Sequence, residues 1–203
     1  MAAPRLIGRI LSYFGATADF LPPLLIVTVL VLQQLARRDP WEIHPTALGG
    51  MVAESIAWTI PLIAIHQLTG RLISAPAVLT TSAAAADEAG IPRIIIGALG
   101  AGIYEELTFR LILISLAMLI FVDIFQLKKP YVAAGAVIGG AVIFALCHFS
   151  GDELVRPAHL EWSKLLFLTV AGVLWGCLYV YRGFGIAVGA HVVWDLYVGF
   201  CRT

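Results

Sequence analysis

Apolar residues fall into six long blocks parted by short polar breaks. The first covers about 20–36, "FLPPLLIVTVLVLQQLA", and is closed by Arg37, Arg38, Asp39 and Pro40. The second covers about 47–68. The others lie at about 91–127, 131–149, 162–181 and 184–201, and the last two are separated by a tight "YRGFG". Each is near or above the roughly 20 residues that a membrane-crossing helix needs. A polar, alanine-rich connector at about 70–90 ends in "ADEAG", and Pro92 is well placed at the start of the helix that follows. No internal repeat interrupts the pattern, and the N-terminal stretch lacks the form of a cleavable signal peptide.

The third block is too long for one straight crossing. A helix over 91–127 would run to about 55 Å, whereas the hydrocarbon core is about 30 Å thick. It must tilt, bend or divide. The expected fold is therefore all-α: a polytopic membrane bundle of six to seven transmembrane helices.

Composition supports this reading. The chain has 203 residues, of which 60% are hydrophobic and 13% charged, against roughly 45–50% and 25% in soluble domains. The protein is expected to be an integral, multi-pass membrane protein with lipid as its surroundings. Net charge is zero and no basic block occurs, so nucleic acid is not an expected partner. Positive residues are nearly balanced across the breaks, so orientation is not encoded by them. Cys147, Cys177 and Cys201 lie in apolar segments without metal spacing, and are expected to be small buried hydrophobes. Trp41, Trp162, Tyr179 and Tyr181 fit interfacial positions.

Charges inside spans are costly unless they meet a partner or a cavity. The set is Glu54, His66, Glu105, Glu106, Arg110, Asp123, His148, His191 and Asp195. Glu54, His66 and Asp123 read as interhelical or interfacial hydrogen-bonding residues. Glu106 and Arg110 are four apart, so they share a helix face and can neutralise each other. Glu105 points about 100° away and is left freer to take a proton, as a general base must. Phe144 and His148 are four apart on one face, as are His191 and Asp195, where a carboxylate can orient an imidazole or stabilise its cation. Three helices thus present polar groups at hydrophobic depth, which predicts an internal polar cavity.

"EELTFR", "FALCH" and "HVVWD", in that order on successive apolar segments, match the EExxxR, FxxxH and HxxxN/D motifs. With them the chain resembles the CAAX protease and bacteriocin-processing (CPBP) family of intramembrane proteases, which includes the Ras-converting CAAX endopeptidase. The resemblance covers about residues 91–200. It divides the chain into N-terminal transmembrane helices and connector over 1–90 and a CPBP-like catalytic helical core over 91–203.

The resemblance implies an intramembrane endopeptidase that cuts a membrane-associated protein or peptide, with a prenylated CAAX-type peptide as one candidate. Glu105 and His148 would activate water, and His191 and Asp195 would stabilise the oxyanion. Glu106 and Arg110 would support the site, with Phe144 as the first residue of its motif. Where this chain has Asp195, the CAAX endopeptidase branch has Asn, whose amide can donate a hydrogen bond where an ionised Asp cannot. Asp195 is therefore expected to orient and charge His191, which donates alone. The implied chemistry needs no cofactor. The alternative is a metalloprotease-like site with zinc held by Glu105, His148 and His191, although no HExxH pair occurs. A different functional class, a non-proteolytic binding or immunity protein or a proton-coupled carrier, would use the same cavity. It gains weight if Glu54 and His66 line that cavity with Glu105.

Overall fold

A computed structural model describes residues 21–38, 42, 44–72, 90–155 and 160–201. The N-terminal stretch, most of the connector, Trp41 and Arg156 to His159 lie outside the described residues. The elements are helices: α1 (Leu21–Arg37), α2 (Pro45–Leu72), α3 (Gly90–Ile124), α4 (Lys129–Leu146), the short α5 (Gly151–Val155), α6 (Trp162–Arg182) and α7 (Phe184–Phe200). No strand occurs among the described residues, so the all-α expectation holds. Four of these helices, α2, α3, α4 and α6, are long and apolar enough to cross a membrane. The apolar part of α1 (Leu24–Ala36) and α7 are shorter; the 17 residues of α7 give only about 25 Å at 1.5 Å per residue.

The overlong third block does not divide: it is one continuous helix. α3 runs for 35 residues and includes two π-helical stretches, Leu107–Ile112 and Met118–Ile124, with an α-helical turn, Leu113–Ala117, between them. Such widened turns change the phase of the residues that follow and often occur at functional sites. The first begins directly after Glu106 and contains Arg110.

Large apolar side chains cover the outside of the bundle, Val27, Leu32, Ile60 and Ile96 among them. In water this would be a liability. In lipid it is the expected solvent-facing surface. The same reasoning corrects the expectation for the cysteines. Cys147 and Cys201 are exposed and Cys177 is half-buried, because an apolar segment in a membrane protein faces lipid as readily as core. Trp162 and Tyr181 are exposed at helix ends, as interfacial aromatics should be. Tyr179 is instead half-buried, its hydroxyl 3.2 Å from Ser115 Oγ.

The interior is aromatic: Phe109, Phe144, Phe167, Trp175 and Trp194 form one cluster with Leu62 and Leu178. α7 packs against α2, α3 and α6, and α4 packs against α6. Gly183, at φ +94°, makes the turn between α6 and α7, a conformation costly for a residue with a Cβ. Thr59 on α2 hydrogen-bonds to the Ala190 carbonyl at 3.2 Å, tying α2 to α7 one residue before His191.

Small residues let the backbones approach, as they must where lipid supplies no hydrophobic drive between helices. A Cβ on Gly172 would lie 2.9 Å from the Cα of Ala141. Gly172→Ala is therefore expected to destabilise the bundle by about 1–3 kcal/mol through overpacking, read as a lower melting temperature in detergent. Gly139→Ala is the control: a Cβ there meets nothing within 4 Å among the described residues and should be neutral or mildly stabilising. Equal melting temperatures for the two variants would show that the α4–α6 contact is not tight.

Candidate active site

α3, α4 and α7 bring Glu105, Glu106, Arg110, Phe144, His148, His191 and Asp195 into one group, and α6 lies against it. Glu106 is fully buried and Arg110 nearly so. Arg110 Nη1 lies 3.0 Å from Glu106 Oε1, off the line of its N–H, so the two meet as paired charges. The other guanidinium nitrogen, Nη2, donates to the Gly172 carbonyl at 3.3 Å. The Arg110 Cζ sits over the Phe144 ring, 4.6 Å from its centroid. The i,i+4 pair expected from spacing is present, and a glycine on α6 completes it.

Both histidines have one ring nitrogen committed. His148 Nδ1 lies 2.8 Å from the Phe144 carbonyl oxygen; a carbonyl only accepts, so Nδ1 carries the proton. His191 Nδ1 lies 2.8 Å from Glu106 Oε1, and donates to that carboxylate for the same reason. Each Nε2 is thereby turned toward Glu105. His148 Nε2 is 3.5 Å and His191 Nε2 is 3.9 Å from Glu105 Oε2. An unprotonated Nε2 and a carboxylate oxygen are both acceptors. They can be neighbours stably only if they share a proton or a donor such as water bridges them. The arrangement is thus suited to holding and moving a proton.

Asp195 Oδ2 is 3.8 Å from His191 Nε2. The closer carboxylate on His191 is Glu106, on the opposite ring nitrogen. The hydrogen bond at Nδ1 is the kind that selects a tautomer, and Glu106 makes it, while Asp195 lies on the Nε2 side. Adjacent glutamates on α3 consequently approach opposite edges of one imidazole.

Glu105 is buried, while the side chains of His148 and Asp195 keep 24% and 27% of their exposure; the group opens to its surroundings at these two residues. Just beyond His148 the chain is pinned. Ser150 N donates to Glu153 Oε2 at 2.6 Å, and Glu153 N donates to Ser150 Oγ at 3.3 Å, a capping box that starts α5. The Ser150 amide holds the Glu153 carboxyl below its ordinary value. Lys164 on α6 lies 3.9 Å from Glu153 Oε1 and 4.3 Å from the Phe149 ring centroid.

Two other intramembrane ionisable residues have partners of their own. Glu54 takes a two-point ion pair from Arg182, at 2.6 and 2.7 Å, at the end of α6. His66 packs edge-on against Phe167 and Trp194. Asp123 lines a separate groove of about 760 Å³ with Gln33, Ser115, Lys129 and Tyr179; none of the seven grouped residues lines it. Among the described residues no group of three or more His, Cys, Asp or Glu side chains is found that could hold a metal ion.

Trp175 was missed by sequence reasoning. It stacks flat on His191, with ring centroids 3.9 Å apart and planes 7° apart. The available signal was its position: it sits in the middle of an apolar run, away from the ends where membrane tryptophans collect.

Residues 87–197, more than half of the chain and the whole of this group, match the family model for the type II CAAX prenyl endopeptidase Rce1-like. The chain belongs to this Rce1-like family. It is accordingly an integral membrane protease acting on protein or peptide at a membrane. No curated protein and no solved structure matches it. The Rce1-like match begins three residues before α3 and ends within α7, and so takes in every helix that contributes to the site.

Proposed function

We propose that the protein hydrolyses a peptide bond within the membrane by a water activated between Glu105 and His148. The observation that carries this reading is the 3.5 Å approach of His148 Nε2 to the buried Glu105 carboxylate. A water placed between them gives one proton to the Glu105–His148 pair as its oxygen attacks the scissile carbonyl carbon. The carbonyl oxygen becomes an oxyanion, and His191, protonated at Nε2, donates to it. The tetrahedral intermediate collapses, the carbon–nitrogen bond breaks, and the proton held by the pair passes to the departing amine. Glu106 keeps Nδ1 of His191 protonated, Arg110 balances Glu106, and Asp195 supports the His191 cation at the open edge. Phe144 supports both histidines, through its carbonyl at His148 and its ring edge near His191.

The catalytic core is read as residues 91–203, with residues 1–90 as supporting membrane helices and connector. The substrate class that fits is a prenylated CAAX-type peptide. It would be presented from the lipid, since the reactive side chains lie on membrane helices. No metal takes part in this reading.

The test uses purified protein in detergent and a farnesylated CAAX reporter peptide, with products identified by mass spectrometry. His148→Ala is expected to lower kcat by at least about a hundredfold, the usual contribution of a proton-transfer group. EDTA and 1,10-phenanthroline are expected to leave the rate unchanged. Full activity of His148→Ala would sink the mechanism, and loss of activity on chelation that returns with added zinc would establish the zinc alternative.

A further inference from the structure

Trp175 is nearly inaccessible, with 2% of its surface exposed. Its indole Nε1 is buried without a hydrogen-bond partner among the described residues. An unpaired buried N–H is unfavourable, and phenylalanine would fill most of the same space without one. Packing alone therefore disfavours tryptophan here. What tryptophan adds is a wide, electron-rich ring face, and that face lies against His191.

The remaining contacts of His191 show what the stack accomplishes. The hydrogen bond from Nδ1 to Glu106 fixes one point of the ring. Together with the covalent bond from Cγ to Cβ this anchors one edge of the ring, but a hydrogen bond tolerates tilt of the ring plane about that edge. Phe144 approaches edge-on, 6.2 Å away at 82°, and leaves the plane of the imidazole unset. The nearly parallel indole sets it. With the plane fixed, Nε2 is held between Glu105, at 3.9 Å, and Asp195, at 3.8 Å. Arg110, whose Cζ is 5.6 Å from the Trp175 ring, ties the same indole to the buried ion pair.

We propose that Trp175 is a positioning residue: its indole face locks the His191 imidazole in the orientation that aims Nε2 into the space between Glu105 and Asp195. The consequence for turnover rests on the hydrolytic reading above, in which His191 donates to the oxyanion. The consequence for the imidazole does not. A misplacement of about 1 Å in a positioned group can cost a hundredfold in rate, so even partial release of the ring should be measurable.

The experiment compares full-length protein with Trp175→Phe, Trp175→Leu and Trp175→Met. Two non-aromatic variants are used so that a folding failure in one leaves the other. Nitrogen-15 histidine NMR in detergent, with His191→Gln to assign the signal, reads the protonation of each ring nitrogen and whether the ring holds a single orientation. Wild type and Trp175→Phe are expected to show His191 in a single state with Nδ1 protonated. The Leu and Met variants are expected to keep the Nδ1 proton, which Glu106 holds, while the Nε2 signal shifts or broadens as the ring samples more than one orientation. On the farnesylated reporter their kcat should fall about tenfold or more with KM within about twofold, and Trp175→Phe should recover most of the loss. An unchanged His191 signal in a folded Leu or Met variant would overturn the proposal. So would a Phe variant as impaired as the non-aromatic ones, since bulk alone would then be at stake. If the wild type does not cleave the reporter, the hydrolytic reading fails while the NMR comparison still decides the role of Trp175.

Discussion

Glu105→Gln is expected to lower kcat by about a thousandfold, within the range a positioned general base supplies, while the bundle stays folded. Glutamine keeps the shape of the side chain and loses the ability to accept a proton at neutral pH. Glu105 is the residue on which both Nε2 atoms converge, at 3.5 and 3.9 Å. Its loss removes the proton acceptor and leaves the Glu106–Arg110 pair and the Glu106–His191 hydrogen bond in place. KM should change little, because in the proposed mechanism this carboxylate acts on the water and not on the bound substrate. The measurement is initial rate on the farnesylated reporter beside a thermal melt in the same detergent. A Glu105→Gln protein with wild-type turnover would remove Glu105 from the chemistry.

Glu106→Ala is expected to damage both stability and activity, and this contrast between neighbouring glutamates is the sharper test. Glu106 is fully buried and serves two partners through one oxygen, Arg110 at 3.0 Å and His191 at 2.8 Å. Removing one member of a buried ion pair strands the other charge, at a cost of about 3–5 kcal/mol. Arg110 would keep its bond to Gly172 and its place over Phe144, but no carboxylate would balance it at 3.0 Å. His191 would also lose the acceptor that fixes its tautomer, so turnover should fall even in molecules that remain folded. Adding Arg110→Met to Glu106→Ala should restore part of the stability, since the unpaired charge is gone, but none of the activity. The checks are the melting temperatures of both single variants and the double, and the cleavage rate of whatever folds. A Glu106→Ala protein that melts with wild type would mean that the pair does not hold the bundle.

Much of this protein is local, and what is local was legible. Six apolar blocks gave six helices with ends within a few residues of those expected, because helix length and hydrophobicity are properties of a continuous stretch. The Glu106–Arg110 pair was legible for the same reason: four residues on one helix share a face. The divergence of Glu105 from Glu106 likewise follows from helical rotation, and the two carboxylates do meet opposite nitrogens of the one His191 ring. The three motifs, one on each of α3, α4 and α7, identified the family that the match to residues 87–197 establishes.

The amino-acid sequence by itself therefore determined the membrane class, the helices and the family, together with which side chains could carry chemistry. Only the tertiary structure decided how they are arranged. It set Glu106 rather than Asp195 on Nδ1 of His191, across 85 residues of chain. It laid Trp175 on that imidazole, brought the Gly172 carbonyl to Arg110, and turned Cys147 and Cys201 outward. Periodicity states which residues share a face of their own helix. It does not state which face meets which neighbour, and in a bilayer it cannot, since lipid and protein interior are equally apolar. That choice is made by shape, where small residues such as Gly172 admit a close helix, and by the few buried polar groups that must find one another.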